Sequence, residues 1–214
     1  MAGRASRSHA SSRSGEPPAD RNSATTTIAL VGSAGGLAAI SRVLSALPDD
    51  LQAAVIVVMH LLPDRPSSLP DVLRRQTGMR VKAAETDDVV EPGCVYVAPP
   101  DAHLLMGTDG RLRLDAGPPM HHVRPAADML LDSLAAFGGG NSVAVILSGS
   151  GSDGASGAAA VKAAGGRVVV QDPATSEHAG MPTATVATGA ADSVVPLTEI
   201  APAITSFVTE RQSA

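Results

Sequence analysis

Aromatic side chains are nearly missing from this chain of 214 residues. Tyr96, Phe137 and Phe207 are the whole set, and there is no tryptophan. The core must therefore be built from Val, Ile, Leu, Ala and Met, and there is no aromatic platform on which nucleic-acid bases could stack. Cysteine occurs once, as Cys94, so no disulfide can form within the chain, which fits a reducing, cytoplasmic compartment. No apolar run approaches the ~20 residues that a spanning helix needs, so membrane insertion is not expected. The N-terminus has no apolar stretch of the kind a secretory signal carries. Its Arg, Ser and Ala content has a weak likeness to an organellar transit peptide, but Glu16, Asp20 and Pro17-Pro18 suit a disordered tail as well. Positive charge is also scarce. The net charge is −5, although Arg4, Arg7, Arg13 and Arg21 all lie in the tail. The remainder is more acidic than the whole, which argues against a nucleic-acid partner held through its phosphates.

What is present is the alternation of an α/β protein. With 44% hydrophobic and 17% charged residues, the chain suits one globular domain, taken here as 26–210, after a disordered tail over 1–25. Thr26 to Val31 is an apolar, β-rich run that stops at Gly32. Leu37, Ile40, Val43, Leu44 and Leu47 then recur at helical spacing until Pro48. Ala54 to Met59 reads as a fully buried strand. A loop with Pro63 and Pro66 leads to a helix around Leu69 to Gln76. In the block 81–115, short strands are expected at Val95–Val97, His103–Met106 and Arg111–Leu114, with a hairpin turn at Thr108-Asp109-Gly110. Helix, glycine break and strand follow over Pro125 to Leu147. The glycine-rich loop Ser148 to Gly154 then opens another helix. The strand Val168–Val170, a short helix after Pro182, the strand Ser193–Val195 and a final helix from Leu197 complete the pattern. The expected fold is a mostly parallel, doubly wound sheet with helices on both faces, plus a small antiparallel β portion from the 81–115 block.

Sheets of this kind bind ligands beyond the carboxyl ends of their strands. Three reactive side chains fall there. Ser33 follows the first strand, His60 follows the second, and Asp153 lies in the glycine-rich loop. They have the chemistry of a nucleophile, a base and an orienting carboxylate. Ser33 stands between Gly32 and Ala34-Gly35-Gly36, where small neighbours admit a substrate carbonyl. The N–H groups of Ala34 and Gly35 are candidate donors to an oxyanion. Each residue also has a plainer reading. Ser33 can be a helix N-cap, His60 a satisfied rim residue, and Asp153 a cap on the helix that follows it.

In sequence order these segments resemble the catalytic domain of the CheB protein-glutamate methylesterases over nearly all of 27–205. Val31-Gly32-Ser33-Ala34-Gly35-Gly36 is similar to that family's Gly-Ala-Ser-Thr-Gly-Gly turn, and Val57-Val58-Met59-His60-Leu61 to its Val-rich strand ending Gln-His-Met. Pro92-Gly93-Cys94-Val95-Tyr96-Val97-Ala98-Pro99 and Arg124-Pro125 match further blocks. Leu147-Ser148-Gly149-Ser150-Gly151-Ser152-Asp153-Gly154 matches Leu-Thr-Gly-Met-Gly-x-Asp-Gly, and Gly180-Met181-Pro182 a later one. The resemblance implies a Ser-His-Asp triad falling on Ser33, His60 and Asp153. It also implies hydrolysis of glutamate methyl esters on the cytoplasmic domain of a methylated chemoreceptor, with glutamine deamidation a related activity, and no cofactor or metal. Substrate-side positions carried over are Ser150, where the family's methionine is replaced by a polar residue, and Arg124, facing the acidic receptor. The family's threonine after the nucleophile is Ala34, and its glutamine before the histidine is Met59. The usual N-terminal receiver domain is not expected in the short stretch before Thr26, so regulation would fall to a separate response regulator or another switch. Two other readings stand beside this one: a signalling scaffold that keeps the fold without turnover, and a phosphate- or nucleotide-binding protein using the Gly32–Gly36 turn. The second lacks a Walker lysine and the full dinucleotide fingerprint.

Overall fold

The computed structural model describes residues 25–61 and 67–213. The expected tail and the Pro63/Pro66 loop lie outside the described residues, apart from Thr25. Seven strands form one sheet: β1 (Thr26–Gly32), β2 (Ala53–Met59), β3 (Arg80–Ala83), β4 (Cys94–Val97), β7 (Ser142–Ile146), β8 (Arg167–Gln171) and β9 (Ser193–Val195). Their order is β3-β4-β2-β1-β7-β8-β9, and every pairing is parallel. β5 (His103–Met106) and β6 (Leu112–Asp115) make a separate antiparallel hairpin. The helices are α1 (Gly36–Ala46), α2 (Leu69–Arg74), α3 (Ala127–Gly138), α4 (Ala155–Ala163), α5 (Gly180–Ala187) and α6 (Leu197–Gln212).

The central strands are buried on both faces, which is why they read as unbroken Val, Ile and Ala. Alternate residues separate into two cores. Ile28, Leu30, Val55, Val57, Val143 and Val145 pack against α1, α2 and α6. Ala29, Val31, Ile56, Val58, Ala144 and Ile146 face α3, α4 and the β5–β6 hairpin. The crossover through α1 carries the chain from β1 to β2, and the one through α4 carries it from β7 to β8 on the opposite face. The winding therefore reverses between β1 and β7, and a crevice opens beyond their carboxyl ends.

Two expectations change. The antiparallel portion is smaller than the 81–115 block, because β3 and β4 run parallel at one side of the main sheet. Val95 and Val97 have a fully buried neighbour strand on one side and β3 on the other, and β3 was too short and charged to be read from Arg80-Val81-Lys82-Ala83. The short helix α5 begins at Gly180, before Pro182 rather than after it, since proline is tolerated in a first helical turn.

Candidate active site

Ser33 is the first residue past β1, and His60 the first past β2. The last pair in register is Gly32 with Met59, so Ser33 and His60 are the next residues along two adjacent strands, which lie about 4.8 Å apart. The register persists past the strand ends, since the His60 N–H donates to the Gly32 carbonyl at 3.4 Å. Both residues share the parity of Val31 and Val58, which face the layer of α3 and α4. On its other side, the Ser33 N–H donates to the carbonyl of Ser148, just past β7, at 3.0 Å. Ser33 is thus held at the reversal point of the winding.

The N-cap of α1 is Gly35, in the left-handed region at φ 72°, and no side chain caps that helix. Ser33 is therefore not its N-cap. The Gly36 N–H donates to the Ser33 carbonyl at 2.8 Å, closing a tight turn whose two intervening N–H groups, of Ala34 and Gly35, meet no acceptor among the described residues.

Asp153 does not cap the helix that follows it either. The N-cap of α4 is Gly154, without a side-chain bond. The Asp153 carboxylate instead caps α3. Its Oδ2 accepts the N–H of Ala127 at 2.6 Å, and its Oδ1 accepts that of Asp128 at 3.0 Å. α3 needs this external cap because its own N-cap position is Ala126, which has no side-chain acceptor. Oδ2 also faces Nε2 of His60 at 2.7 Å. Burial pushes the Asp153 carboxyl up. The hydrogen bond from His60 and the N–H groups of Asp128 and Ala127 outweigh it and hold the group below its ordinary value. An ionised carboxylate only accepts, so in the neutral ring Nε2 carries the proton and Nδ1 carries the lone pair.

The remaining sequence candidates flank this centre. Ser150 is exposed on the loop between Gly149 and Gly151. Arg124 lines an open cleft of about 440 Å³ together with His60, Leu61, His122 and Asp101. Its guanidinium is not free: it bonds Asp101 and donates to the carbonyls of Ala116 at 2.8 Å and Gly117 at 2.6 Å. Arg124 braces the loop that walls the cleft.

Two participants went unread in the sequence. Asp128 is buried, and its carboxylate accepts from Gly157 N–H at 2.8 Å and faces Nε2 of His121 at 3.1 Å, tying α3 to α4. The side-chain ligand atoms of His121, Asp128 and Asp153 lie within 4.8 Å of one another, but the carboxylate oxygens are all engaged by N–H groups or imidazole. Ser148 is the second, with one bond or more from each of its polar atoms. The absence of a capping side chain at Ala126 was the available signal that a carboxylate from elsewhere must meet α3. Nothing comparable pointed to Ser148.

Residues 28–204 match the CheB methylesterase family along their whole span. The chain belongs to the CheB methylesterase family. It is 40% identical over 181 residues to protein-glutamate methylesterase FrzG of Myxococcus xanthus, covering 85% of this chain and 54% of that protein. It is 41% identical over 184 residues to a protein-glutamate methylesterase/protein-glutamine glutaminase of Symbiobacterium thermophilum, covering 86% of this chain and 51% of that protein. The chain thus spans about half the length of the curated relatives it matches. The crystal structure of the Thermotoga maritima CheB methylesterase catalytic domain superposes with a TM-score of 0.81 at 34% identity, covering 86% of this chain and 98% of that one. The CheB fold accordingly accounts for the parallel sheet, the hairpin and the crevice between β1 and β7. No helix among the described residues is long and apolar enough to cross a membrane.

Proposed function

We propose that this chain is a cytoplasmic serine hydrolase that removes methyl esters from glutamate side chains of a methylated chemoreceptor, through Ser33, His60 and Asp153. The observation that carries the reading is the 2.7 Å contact between His60 Nε2 and the buried Asp153 carboxylate, with Ser33 next to His60 in register.

With Nε2 committed to Asp153, Nδ1 of His60 is the base. It takes the Ser33 proton as Oγ attacks the ester carbonyl carbon. The tetrahedral oxyanion is met by the N–H groups of Ala34 and Gly35. His60 then passes its proton to the departing methoxide, and methanol leaves. A water molecule, deprotonated by the same nitrogen, attacks the acyl-serine; the second tetrahedral intermediate collapses to free glutamate and restores the Ser33 hydroxyl. Asp153 fixes the ring tautomer and stabilises the imidazolium. Ser150 borders the entry of the site, and Arg124 holds its wall. The identical steps with ammonia as leaving group would deamidate glutamine, the second activity in the name of the Symbiobacterium relative.

A fluorophosphonate probe tests the nucleophile. Stoichiometric labelling of wild-type protein at Ser33, absent in Ser33→Ala, is expected. Labelling at another serine contradicts the assignment of Ser33, and no labelling of a folded protein favours the scaffold reading, which Ala34 and Ser150 support as departures from the family's pattern.

A further inference from the structure

Ser148 is the second residue past the end of β7 and is buried. Its carbonyl accepts the Ser33 N–H at 3.0 Å. Its own N–H donates to Oε1 of Gln171, on β8, at 2.9 Å. Its hydroxyl donates to the Ala34 carbonyl at 2.9 Å and accepts the His178 N–H at 3.0 Å. The His178 carbonyl, at 3.5 Å, is the weaker acceptor for the single hydroxyl proton.

The Ala34 carbonyl belongs to the same peptide as the Gly35 N–H. A trans peptide is planar, with C=O and N–H pointing in opposite directions, so fixing one fixes the other. Gly35 sits at φ 72°, where glycine has unusual freedom and the preceding peptide can rotate. Space around it is tight: a Cβ there would lie 2.7 Å from the Ser148 hydroxyl and 2.9 Å from a Glu177 carboxylate oxygen. That carboxylate is an acceptor able to draw an unpinned N–H toward itself.

We infer that Ser148 is a positioning residue: its hydroxyl pins the Ala34 carbonyl and so holds the Gly35 N–H in the direction required to meet the oxyanion. The inference rests on the serine-hydrolase reading above and deepens it. The hydroxyl acts only through the peptide, so it matters where charge develops on the carbonyl oxygen and hardly at all for ground-state ester binding. The same hydroxyl joins the nucleophile turn to the loop before α5 through the His178 N–H.

Ser148→Ala, Ser148→Thr, Ser148→Cys and Ser33→Ala, assayed for methanol release from a methylated chemoreceptor and for inhibition by a trifluoromethyl ketone, test this. Ser148→Ala is expected to lower kcat about 10- to 100-fold, somewhat less than outright removal of an oxyanion donor, with KM within about twofold. Inhibition by the ketone, which forms a tetrahedral oxyanion on Ser33, weakens in parallel. Ser148→Thr restores both. Ser148→Cys keeps the volume with a weaker donor, falls between, and serves if the alanine variant does not fold. Wild-type kcat in Ser148→Ala or Ser148→Cys, or a rise in KM with kcat intact, overturns the inference. Undiminished turnover by Ser33→Ala overturns the underlying hydrolase reading instead.

Discussion

The carboxylate of Asp153 accepts the backbone N–H of Asp128 at 3.0 Å, so a residue of the β7–α4 loop caps a helix that begins 26 positions earlier in the chain. The same carboxylate orients His60. Stability of α3 and orientation of the base therefore depend on one side chain. Asp153→Asn presents only one acceptor oxygen where His60, Ala127 and Asp128 all donate, so its NH2 group must confront at least one N–H. We expect kcat to fall by roughly 10⁴-fold, the scale for losing the orienting carboxylate of a triad, together with about 1 to 3 kcal/mol of stability for the unsatisfied donor. Kinetics and denaturant unfolding of the same variant check both. A loss of activity with unchanged stability would mean that the cap is redundant.

Acid should weaken this cap in a defined window. The folded-state value of Asp153 lies below the ordinary 3.8, so folding favours its ionised form. Its contribution is fully present above the unfolded value, and it is lost as pH falls through the folded value. The stability difference between wild type and Asp153→Asn therefore shrinks as the pH falls below about 4. Paired urea titrations across that range check it; a difference that grows with acid contradicts the assignment.

Gly149 has no room for a side chain. A Cβ there would lie 2.1 Å from the Met181 sulfur and 3.1 Å from the Ser33 Cβ. Gly149→Ala is expected to cost about 1 to 3 kcal/mol by overpacking and to impair the neighbouring serine. Adding Met181→Ala removes the closest clash. Recovery of folding by the double variant, measured by thermal unfolding, is expected; a double variant worse than the sum of both changes would place the strain elsewhere.

Arg124 should behave as a brace. Arg124→Ala removes the donor from the solvent-accessible Ala116 and Gly117 carbonyls, at about 0.5 to 1.5 kcal/mol. Arg124→Lys does not restore this, because a point charge cannot reach Asp101 and both carbonyls as the planar fork does. Unfolding curves for the two variants decide; full stability of Arg124→Lys contradicts the brace.

The sheet, its helices and the strand ends bearing Ser33 and His60 were legible because Val- and Ile-rich runs alternating with helical periodicity are strong local signals. β3 was not, because a four-residue edge strand containing Arg80 and Lys82 has too little apolar pattern. Local chemistry also left a capping reading open: serine and aspartate before a helix suggest capping of that helix, whereas glycines occupy both cap positions and Asp153 reaches across to α3. The hydroxyl of Ser148 was hidden for the same reason, since its partner Ala34 is 114 residues away.

The central claim is esterolysis at Ser33. The most direct measurement is methanol release from a methylated chemoreceptor by wild-type protein and by Ser33→Ala. The account predicts release by wild type and none above background for Ser33→Ala. Equal release by both, or none from a folded wild-type protein with several receptors, would contradict it.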